Sequence, residues 1–300
     1  MSHPEEQGGS LAGQSRHPAF SRLLGDLRRN PLTLAGALIV AALALVAVVG
    51  PVVLTTDPTA QDLPNRLQPP SAAHPLGTDQ LGRDVLTRLV YGARLSLGIA
   101  LAVTAIRVVV GTTVGVVAGY AGGWVDEALM RLVDVQLAFP GLVLALVVAG
   151  ILGPSLRNVM LALAVVGWAT YARVVRATVL SVSEREYVDA ARLFGTPPRR
   201  IARRHLLPAV LNPVLVLATL NLGTVVLATA GLSFIGLGAQ PPTPEWGTML
   251  AGGRDYLRSA WWLVNAPGLA IVLTVLGFNL LGDGLRDALD PHQQSRLEEV

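Results

Sequence analysis

Residue types that carry covalent or metal chemistry are scarce in this chain. All 23 basic residues are arginines and there are no cysteines. No lysine can therefore form a Schiff base or complete a GxxxxGK[ST] phosphate loop, and no thiolate can act as a nucleophile. The five histidines show no metal-ligand spacing, and the sequence contains neither GxSxG nor HExxH. We therefore expect no catalytic site, metal or cofactor on this chain.

The main concentration of charge is the stretch EYVDAARLFGTPPRRIARRHLLP, residues 186–208. Ser183 and Glu186 fit a capping box that begins a short helix. Gly195 stands where a left-handed residue ends such a helix. Between them, apolar residues recur at i, i+3, i+4 and i+7, which predicts one apolar face formed by Tyr187, Ala190, Ala191 and Phe194.

A second short helix is predicted directly after the first. Thr196 can cap it, Pro197 suits its first position, and Pro208 ends it. Its arginines crowd one side: Arg199, Arg200, Arg203 and Arg204. Such a capped pair of helices suits docking onto a cytoplasmic partner, whereas the alternative, that the arginines only fix membrane topology, leaves the caps and the glycine unexplained.

The elements on either side of this pair are apolar. Of the chain's residues 52% are hydrophobic and only 14% charged, against about 25% charged in soluble domains. A helix needs roughly 20 apolar residues to cross a bilayer core of about 30 Å. Six apolar runs are candidate spans, which predicts an all-helical membrane fold. They are Leu32–Leu54, Leu95–Ala118, Gln136–Leu152, Val159–Ala172, Val214–Leu237 and Leu263–Leu281. The fourth is short unless it continues past Arg173.

Arginine counts predict the orientation of these spans. With six spans, 15 arginines lie on the side of both termini and seven on the other side. The positive-inside rule then places both termini in the cytoplasm. We expect a cytoplasmic tail (1–31), a first anchor (32–54), an extracytoplasmic loop (55–94), a five-span core (95–285) that contains the loop 183–208, and a C-terminal tail (286–300).

A few residues inside the spans are candidates for a substrate path. Arg107 lies near the middle of the second span, where a charge is costly, and either contacts a substrate carboxylate or is satisfied by an internal ion pair or backbone carbonyls. Asn221 and Thr224 in the fifth span either line the path or join helices. Gly111, Gly115 and Gly119 share one helix face, which favours close packing inside one subunit over contact with a second subunit.

The two outer segments carry different signals. In the first, an interfacial helix is predicted to start near Asp79, with its apolar side at Leu81, Val85, Leu86, Leu89 and Val90. The second is predicted to be a rigid, exposed loop with Pro241, Pro242 and Trp246, and Trp261 and Trp262 fit an interfacial aromatic belt.

The charged stretch resembles a known motif. Asp189-Ala190-Ala191-x3-Gly195 followed by Leu207-Pro208 resembles the "EAA" loop, E-A-A-x3-G-x9-I-x-L-P, of ABC-transporter permeases. Asp189 replaces the usual Glu, and His205 replaces the usual Ile. Three other segments resemble the dipeptide/oligopeptide/nickel group of these permeases: HPLGTDQLGRDVLTRLVYGARLSL, LSFIGLGAQPPTPEWGTML and FNLLGDGLRDALDP. The resemblance covers about residues 30–291.

The resemblance implies a permease subunit of an inner-membrane importer of the type I ABC architecture. Its ATPase-coupling loop would consist of Glu186, Asp189, Ala190, Ala191, Gly195, Arg203, His205, Leu207 and Pro208. It also implies partners: a second, related permease, two cytoplasmic ATPases that bind ATP and Mg, and an extracytoplasmic solute-binding protein facing Pro241, Pro242 and Trp246. The cargo would be a di- or oligopeptide.

Other functions remain open. The same machinery could import nickel or another small chelate. A stand-alone secondary transporter would explain six spans and Arg107, but it should show internal repeats, and none is visible in the sequence. An intramembrane enzyme would need a catalytic motif at depth, and nucleic-acid binding has no support.

Overall fold

The computed structural model describes residues 30–289. Over this range the secondary structure is helical, with one isolated bridge between Thr78 and Asp84, so the all-helical prediction is confirmed. The helices are α1 (Pro31–Val53), α2 (Val85–Ala121), α3 (Gly123–Leu137), α4 (Gly141–Leu152), α5 (Leu156–Ser183), α6 (Glu186–Leu193), α7 (Pro198–Ile201), α8 (Leu207–Phe234), α9 (Trp246–Gly253) and α10 (Trp262–Leu289). A π-helical turn, Ala202–Leu206, joins α7 to α8.

Five helical stretches are long and apolar enough to cross a membrane: α1, α2, α5, the continuous segment Pro198–Phe234, and α10. The predicted third span, Gln136–Leu152, is wrong as one straight helix. Its residues belong to α3 and α4, which are bent by 87° and count as a sixth span only as a pair. The bend falls at Pro140, the residue before α4, because proline has no N–H to continue α3.

The fourth span is longer than predicted. α5 runs for 28 residues and continues past Arg173, as the sequence required. Arg173 donates to Asp134 over 2.6 Å, and Arg176 makes two bonds to Asp126, both acids being on α3. These pairs satisfy the two charges at the end of an apolar helix and attach α3 to α5.

α2 and α5 form the closest helix pair, and the predicted glycine face lies between them. A Cβ on Gly111 would be 2.5 Å from the carbonyl oxygen of Trp168, and one on Gly115 2.6 Å from that of Ala172. Gly119 faces Val179 in the same way. The prediction of close packing inside one subunit is confirmed, because only residues without a side chain admit this approach of two backbones.

α1 lies on the outside of the bundle against α10 and α2. Asn30 begins it by accepting bonds from the backbone of Leu32 and Thr33, and Pro31 occupies the first helical position. Gly277 and Gly284 of α10 face Ile39 and Thr33 of α1. Much of the remaining apolar surface of α1 is exposed, as expected for a helix in contact with lipid.

The helix expected near Asp79 begins six residues later, at Val85, and is not separate from the second span. Asp79 instead organises a tight turn, since its carboxylate accepts bonds from the backbone N–H groups of Leu81 and Arg83. Asp84 then caps α2 by accepting a bond of 2.7 Å from the backbone of Thr87. A single 37-residue helix therefore connects the segment 55–84 to the core.

Candidate functional site

α6 is a short helix that ends as the sequence predicts. Gly195 has a φ of +71°. Its N–H donates to the carbonyl of Arg192 over 3.0 Å, and the N–H of Thr196 donates to the carbonyl of Ala191 over 3.0 Å. These are the two bonds of a Schellman motif. The motif fixes the direction in which the chain leaves α6, and it depends on a backbone conformation that favours glycine.

The two faces of α6 have different surroundings. Val188 is fully buried against the bundle, whereas Leu193 and Phe194 are each 88% exposed and Tyr187 is 53% exposed. Ala190 and Ala191 are half-buried, and Glu186 and Asp189 are exposed. α6 is thus anchored by one side chain and presents a small apolar surface, Tyr187, Leu193 and Phe194, away from the spans. The predicted apolar face is correct in Tyr187 and Phe194 and missed Leu193.

The predicted start of α6 is wrong. Ser183 is the last residue of α5, not a cap, and the residue before α6 is Arg185, which makes no side-chain capping bond. Arg192 compensates from the other end of α6, because its guanidinium donates to the carbonyl of Ser183 and to the carboxylate of Asp189. The joint between α5 and α6 is therefore held by an arginine rather than by a capping box.

The segment after Gly195 is not a separate helix stopped by proline. α7 begins at Pro198, one residue later than predicted, and Thr196 does not cap it. Pro208 lies in the first turn of α8 and does not end a helix. The π-helical turn precedes it, with the N–H of Leu207 bonded to the carbonyl of Ala202. Because a π-helical turn is wider than an α-helical one, the helix tolerates the absence of an N–H group on Pro208. This half of the loop is therefore a rigid extension of the fifth span.

The remaining loop residues lie in the π-helical turn and at the start of α8. The ring of His205 lies 5.6 Å from that of Tyr187. Arg203 is exposed and shares a shallow groove with Pro197, Arg199, Arg200 and Arg204. Leu207 is 42% exposed, while Ile201 and Leu206 are buried. The contact between the rings of Tyr187 and His205 therefore joins the two halves of the predicted loop.

A cavity of about 730 Å³ lies between α2, the bent pair α3–α4, α5 and α8. Arg107 and Thr224 line it, but Asn221 does not. Asn221 instead donates to the carbonyl of Leu217 one turn earlier. The lining is mostly apolar, with Leu142, Val143, Leu146, Val166 and Leu227 among its side chains.

Arg107 is 7% exposed, and two of its nitrogens donate to the carbonyl of Leu163, at 2.8 and 2.6 Å. Of the possibilities that the sequence left open for Arg107, the structure shows hydrogen bonds to a backbone carbonyl. Gly167 makes it possible, because a Cβ there would lie 2.0 Å from Nε of Arg107. Sequence reasoning missed both Leu163 and Gly167, which lie one turn apart on α5 and 56 or more residues from Arg107.

We expect Gly167→Ala to lower the thermal unfolding midpoint by displacing Arg107. Losing a hydrogen bond to a charged group costs about 1.5–3 kcal/mol. In an Arg107→Leu background the same alanine should cost much less, because the three atoms nearest to its Cβ all belong to Arg107. Thermal unfolding of the four proteins in detergent measures this coupling. Equal costs in both backgrounds would contradict the assigned contact.

The loop that contains Pro241 and Pro242 differs from its prediction. Pro241 and Pro242 are exposed, but Trp246 is 1% exposed and cannot face another protein. Its Nε1 donates to the carbonyl of Leu89 over 3.0 Å, and Gly92 leaves room for its ring on α2. A large aromatic ring gains more free energy from this burial than from an exposed position.

Two tryptophans and one glutamate near this loop differ in how far they are buried. Trp262 is buried and donates to the carbonyl of Thr78, so only Trp261, 55% exposed, fits the predicted aromatic belt. Glu245 is also buried, and it caps α9 through the backbone N–H of Thr248. Sequence reasoning missed this acid, although its position directly before Trp246-Gly247-Thr248 is that of a helix cap.

Family profiles match most of the chain. The profile described as "Binding-protein-dependent transport system inner membrane component" matches residues 111–295. A second, described as "N-terminal TM domain of oligopeptide transport permease C", matches residues 20–70. Together these matches include α1 and the predicted loop 186–208.

Curated relatives are similar over nearly their whole length. A dipeptide transport system permease protein of Alkalihalophilus pseudofirmus is 46% identical over 270 residues, which is 90% of this chain and 89% of the relative. A nickel transport system permease protein of Escherichia coli K12 is 46% identical over 255 residues, 85% of this chain and 92% of the relative.

A solved structure has the same fold. A chain of the inward-facing MetNI methionine ABC transporter aligns with a TM-score of 0.55 and 22% identity, covering 68% of this chain and 98% of that chain.

Proposed function

The chain belongs to the family of binding-protein-dependent transport system inner membrane components, and on that premise we propose that it conducts peptides as one half of the pathway of an ATP-driven importer. It is an inner-membrane transport subunit. The finer assignments, namely the cargo, the coupling surface, the partners and the orientation, rest on the arguments below.

The surface of α6 carries the proposal. A helix of eight residues outside the spans has no reason to expose Leu193 and Phe194 to water, and an exposed apolar cluster of this kind is typical of a protein interface. We assign α6 as the coupling helix that docks into a cytoplasmic ATPase subunit. ATP and Mg would be bound and hydrolysed on that subunit and not on this chain.

The nine loop residues then have distinct roles. Gly195 sets the exit angle of α6, Ala190 and Ala191 keep its sides narrow, and Asp189 holds Arg192 in place. Pro208 and the π-helical turn make α8 continuous with the docked surface. Glu186, Arg203, His205 and Leu207 extend the contact area. Motion of the ATPase would reach α8 through a stiff connection.

This assignment fixes the orientation. The end of the bundle that carries α6 and the arginines of α7 faces the cytoplasm, in agreement with the excess of arginine there. The loop with Pro241 and Pro242 then faces outward, where an extracytoplasmic solute-binding protein delivers cargo. Trp246 has no part in that contact.

The cavity beside Arg107 and Thr224 is assigned as this chain's share of the path. One wall carries exposed apolar side chains of α4, among them Leu142 and Val143, and a second, related permease would cover them. A peptide cargo fits the size of the cavity and the dipeptide permeases among the relatives. The nickel permease is as similar, so a small chelate is the alternative cargo, and uptake of labelled dialanine against labelled nickel separates the two.

The coupling assignment is tested by co-purification. We expect the tagged chain, expressed with its partner subunits, to retain an ATPase, and the variant Leu193→Ser with Phe194→Ser to lose at least about nine tenths of it, since apolar anchors dominate interface free energies. Leu257→Ser is the control, because Leu257 is an exposed apolar residue of the opposite end.

An ATPase retained equally by both variants would mean that the docking surface lies elsewhere. Absence of any ATPase with the wild-type chain would favour a stand-alone transporter.

A further inference from the structure

A second cavity, of about 460 Å³, lies at the outer end of the bundle, between the start of α2 and the segment from the end of α8 to α9. Its wall combines charged and polar side chains, among them Asp79, Arg83, Arg88, Ser233, Gln240 and Thr248. It adjoins the cavity assigned to the path, because Ile235 lines both.

The charges in this wall do not balance. The carboxylate of Asp79 accepts a bond of 2.6 Å from Nε of Arg83 and lies 3.6 Å from Nε of Arg88. The side chains of both arginines are about nineteen-twentieths buried, at 6% and 5% exposed, and that of Asp79 is 7% exposed. One carboxylate therefore faces two guanidinium groups, and a buried charge is costly unless it is paired.

The two arginines differ in what they hold. Arg88 uses a terminal nitrogen to bind the carbonyls of Pro58 and Pro242, so it joins the two outer segments. The bonds of the Arg83 side chain end at Asp79, and within residues 30–289 its two terminal nitrogens donate to no acceptor. The buried hydroxyl of Ser233 in the same wall is also without a partner in that range.

Unused guanidinium donors in a polar cavity are matched by a carboxylate, which accepts two parallel bonds from one arginine. We propose that this outer cavity binds the C-terminal carboxylate of the incoming peptide, with Arg83 as the ligand group and Arg88 as the group that positions the wall. The proposal rests on the peptide cargo proposed above. Because every free peptide carries this carboxylate, one such site serves cargoes of any side-chain composition.

The cavity favours a small ligand over an acidic side chain of the docked binding protein. Its volume lies within the range of roughly 300–1,000 Å³ that small-molecule sites occupy. The side chains of Arg83 and Arg88 are buried, whereas Pro241 and Pro242 of the docking loop are exposed. A ligand held there lies beside the inner cavity, at Ile235, so the site would receive cargo before the path does.

The test is uptake of labelled di-, tri- and penta-alanine by proteoliposomes that contain the complete importer, with its binding protein varied in concentration. We expect Arg83→Gln to lower the maximal rate about tenfold, the factor for losing one charge-assisted bond. The concentration of binding protein at half the maximal rate should not change. Arg83→Lys should restore most of the rate, and Arg258→Gln, which neutralises an exposed outer arginine away from the cavity, should match the wild type.

Each other outcome has a definite meaning. Equal maximal rates for wild type and Arg83→Gln would overturn the site and leave the peptide cargo intact. A raised half-saturating concentration of binding protein at an unchanged maximal rate would assign Arg83 to docking and overturn the proposal. No uptake of any alanine peptide by the wild-type importer would contradict the peptide cargo itself, and this site's ligand with it.

A second variant guards against misfolding of the first. Arg83→Gln leaves Asp79 buried with only Arg88 near it, whereas Asp79→Asn combined with Arg83→Gln removes the pair together and keeps the local charge. We expect this double variant to assemble with its partners in normal amounts and to show the same fall in maximal rate. A wild-type rate for an assembled double variant would overturn the proposal.

Discussion

Gly195→Val is expected to lower ATP-driven uptake about tenfold or more while the spans stay folded. The residue has a φ of +71°, a conformation that costs an ordinary side chain about 1–2 kcal/mol and a β-branched one more. Relief of that strain breaks the bonds from Gly195 to Arg192 and from Thr196 to Ala191, so α6 rotates and Phe194 moves out of register with its partner. We expect uptake and ATPase co-purification to fall about tenfold or more.

Gly195→Asn separates the backbone from the surface. Asparagine is similar in size to valine but tolerates the left-handed conformation, and no atom lies within 4 Å of a Cβ at this position. The asparagine variant should keep most of the wild-type uptake. Equal damage by both variants would mean that the partner excludes any side chain there, and full activity of the valine variant would contradict the coupling role of α6.

The end of α6 could be predicted because its causes are local. A Schellman motif involves six consecutive residues, and the only unusual requirement within them is the positive φ that glycine supplies. The glycine face of α2 is an equally local signal. The packing of Gly111 and Gly115 against α5 therefore followed from their spacing, without knowledge of which helix would face them.

The signals that failed were local ones that tertiary packing overrode. Ser183 looked like a cap, but Val179 is fully buried against α2. This packing keeps the chain helical beyond Val179, and Ser183 is the last residue of α5. Pro208 looked like a stop, but Leu206 and Val210 on either side of it are buried in one cluster with Tyr171 and Val175. Burial of both flanks keeps one helical axis, and the π-helical turn resolves the missing N–H.

Two site residues, one that sequence reasoning placed wrongly and one that it left open, depend on distant partners. Trp246 is buried through contacts with the carbonyl of Leu89 and with the space above Gly92. These two residues lie 157 and 154 positions earlier in the sequence. Arg107 is satisfied by Leu163, 56 residues later. Nothing within a helical turn of either residue specifies such a contact, so composition placed one in a loop and left the other ambiguous.

Gly115→Ala is expected to destabilise the bundle through a methyl group added on the face of α2 that packs against α5. Its Cβ would lie 2.6 Å from the carbonyl oxygen of Ala172 and 2.7 Å from Cβ of Val175, and neither atom is the end of a flexible side chain. Overpacking of this kind costs about 3 kcal/mol at the upper end of its usual range, and better helix propensity returns about 1 kcal/mol. A net loss of about 2 kcal/mol should appear as a lower thermal midpoint in detergent.

Gly98→Ala is the matched control, because it is the same change in the same helix at a position with no atom within 4 Å of the added Cβ. It should gain about 1 kcal/mol, so the two alanines should differ by about 3 kcal/mol. Equal midpoints would mean that α2 and α5 are not in the close contact described.

The contact between α2 and α5 also bears on coupling, since α6 follows α5 after two residues. If α5 is loosened from α2, a displacement of α6 moves α5 without moving the rest of the bundle. Gly115→Ala should therefore lower the uptake per ATP hydrolysed even where the importer still assembles.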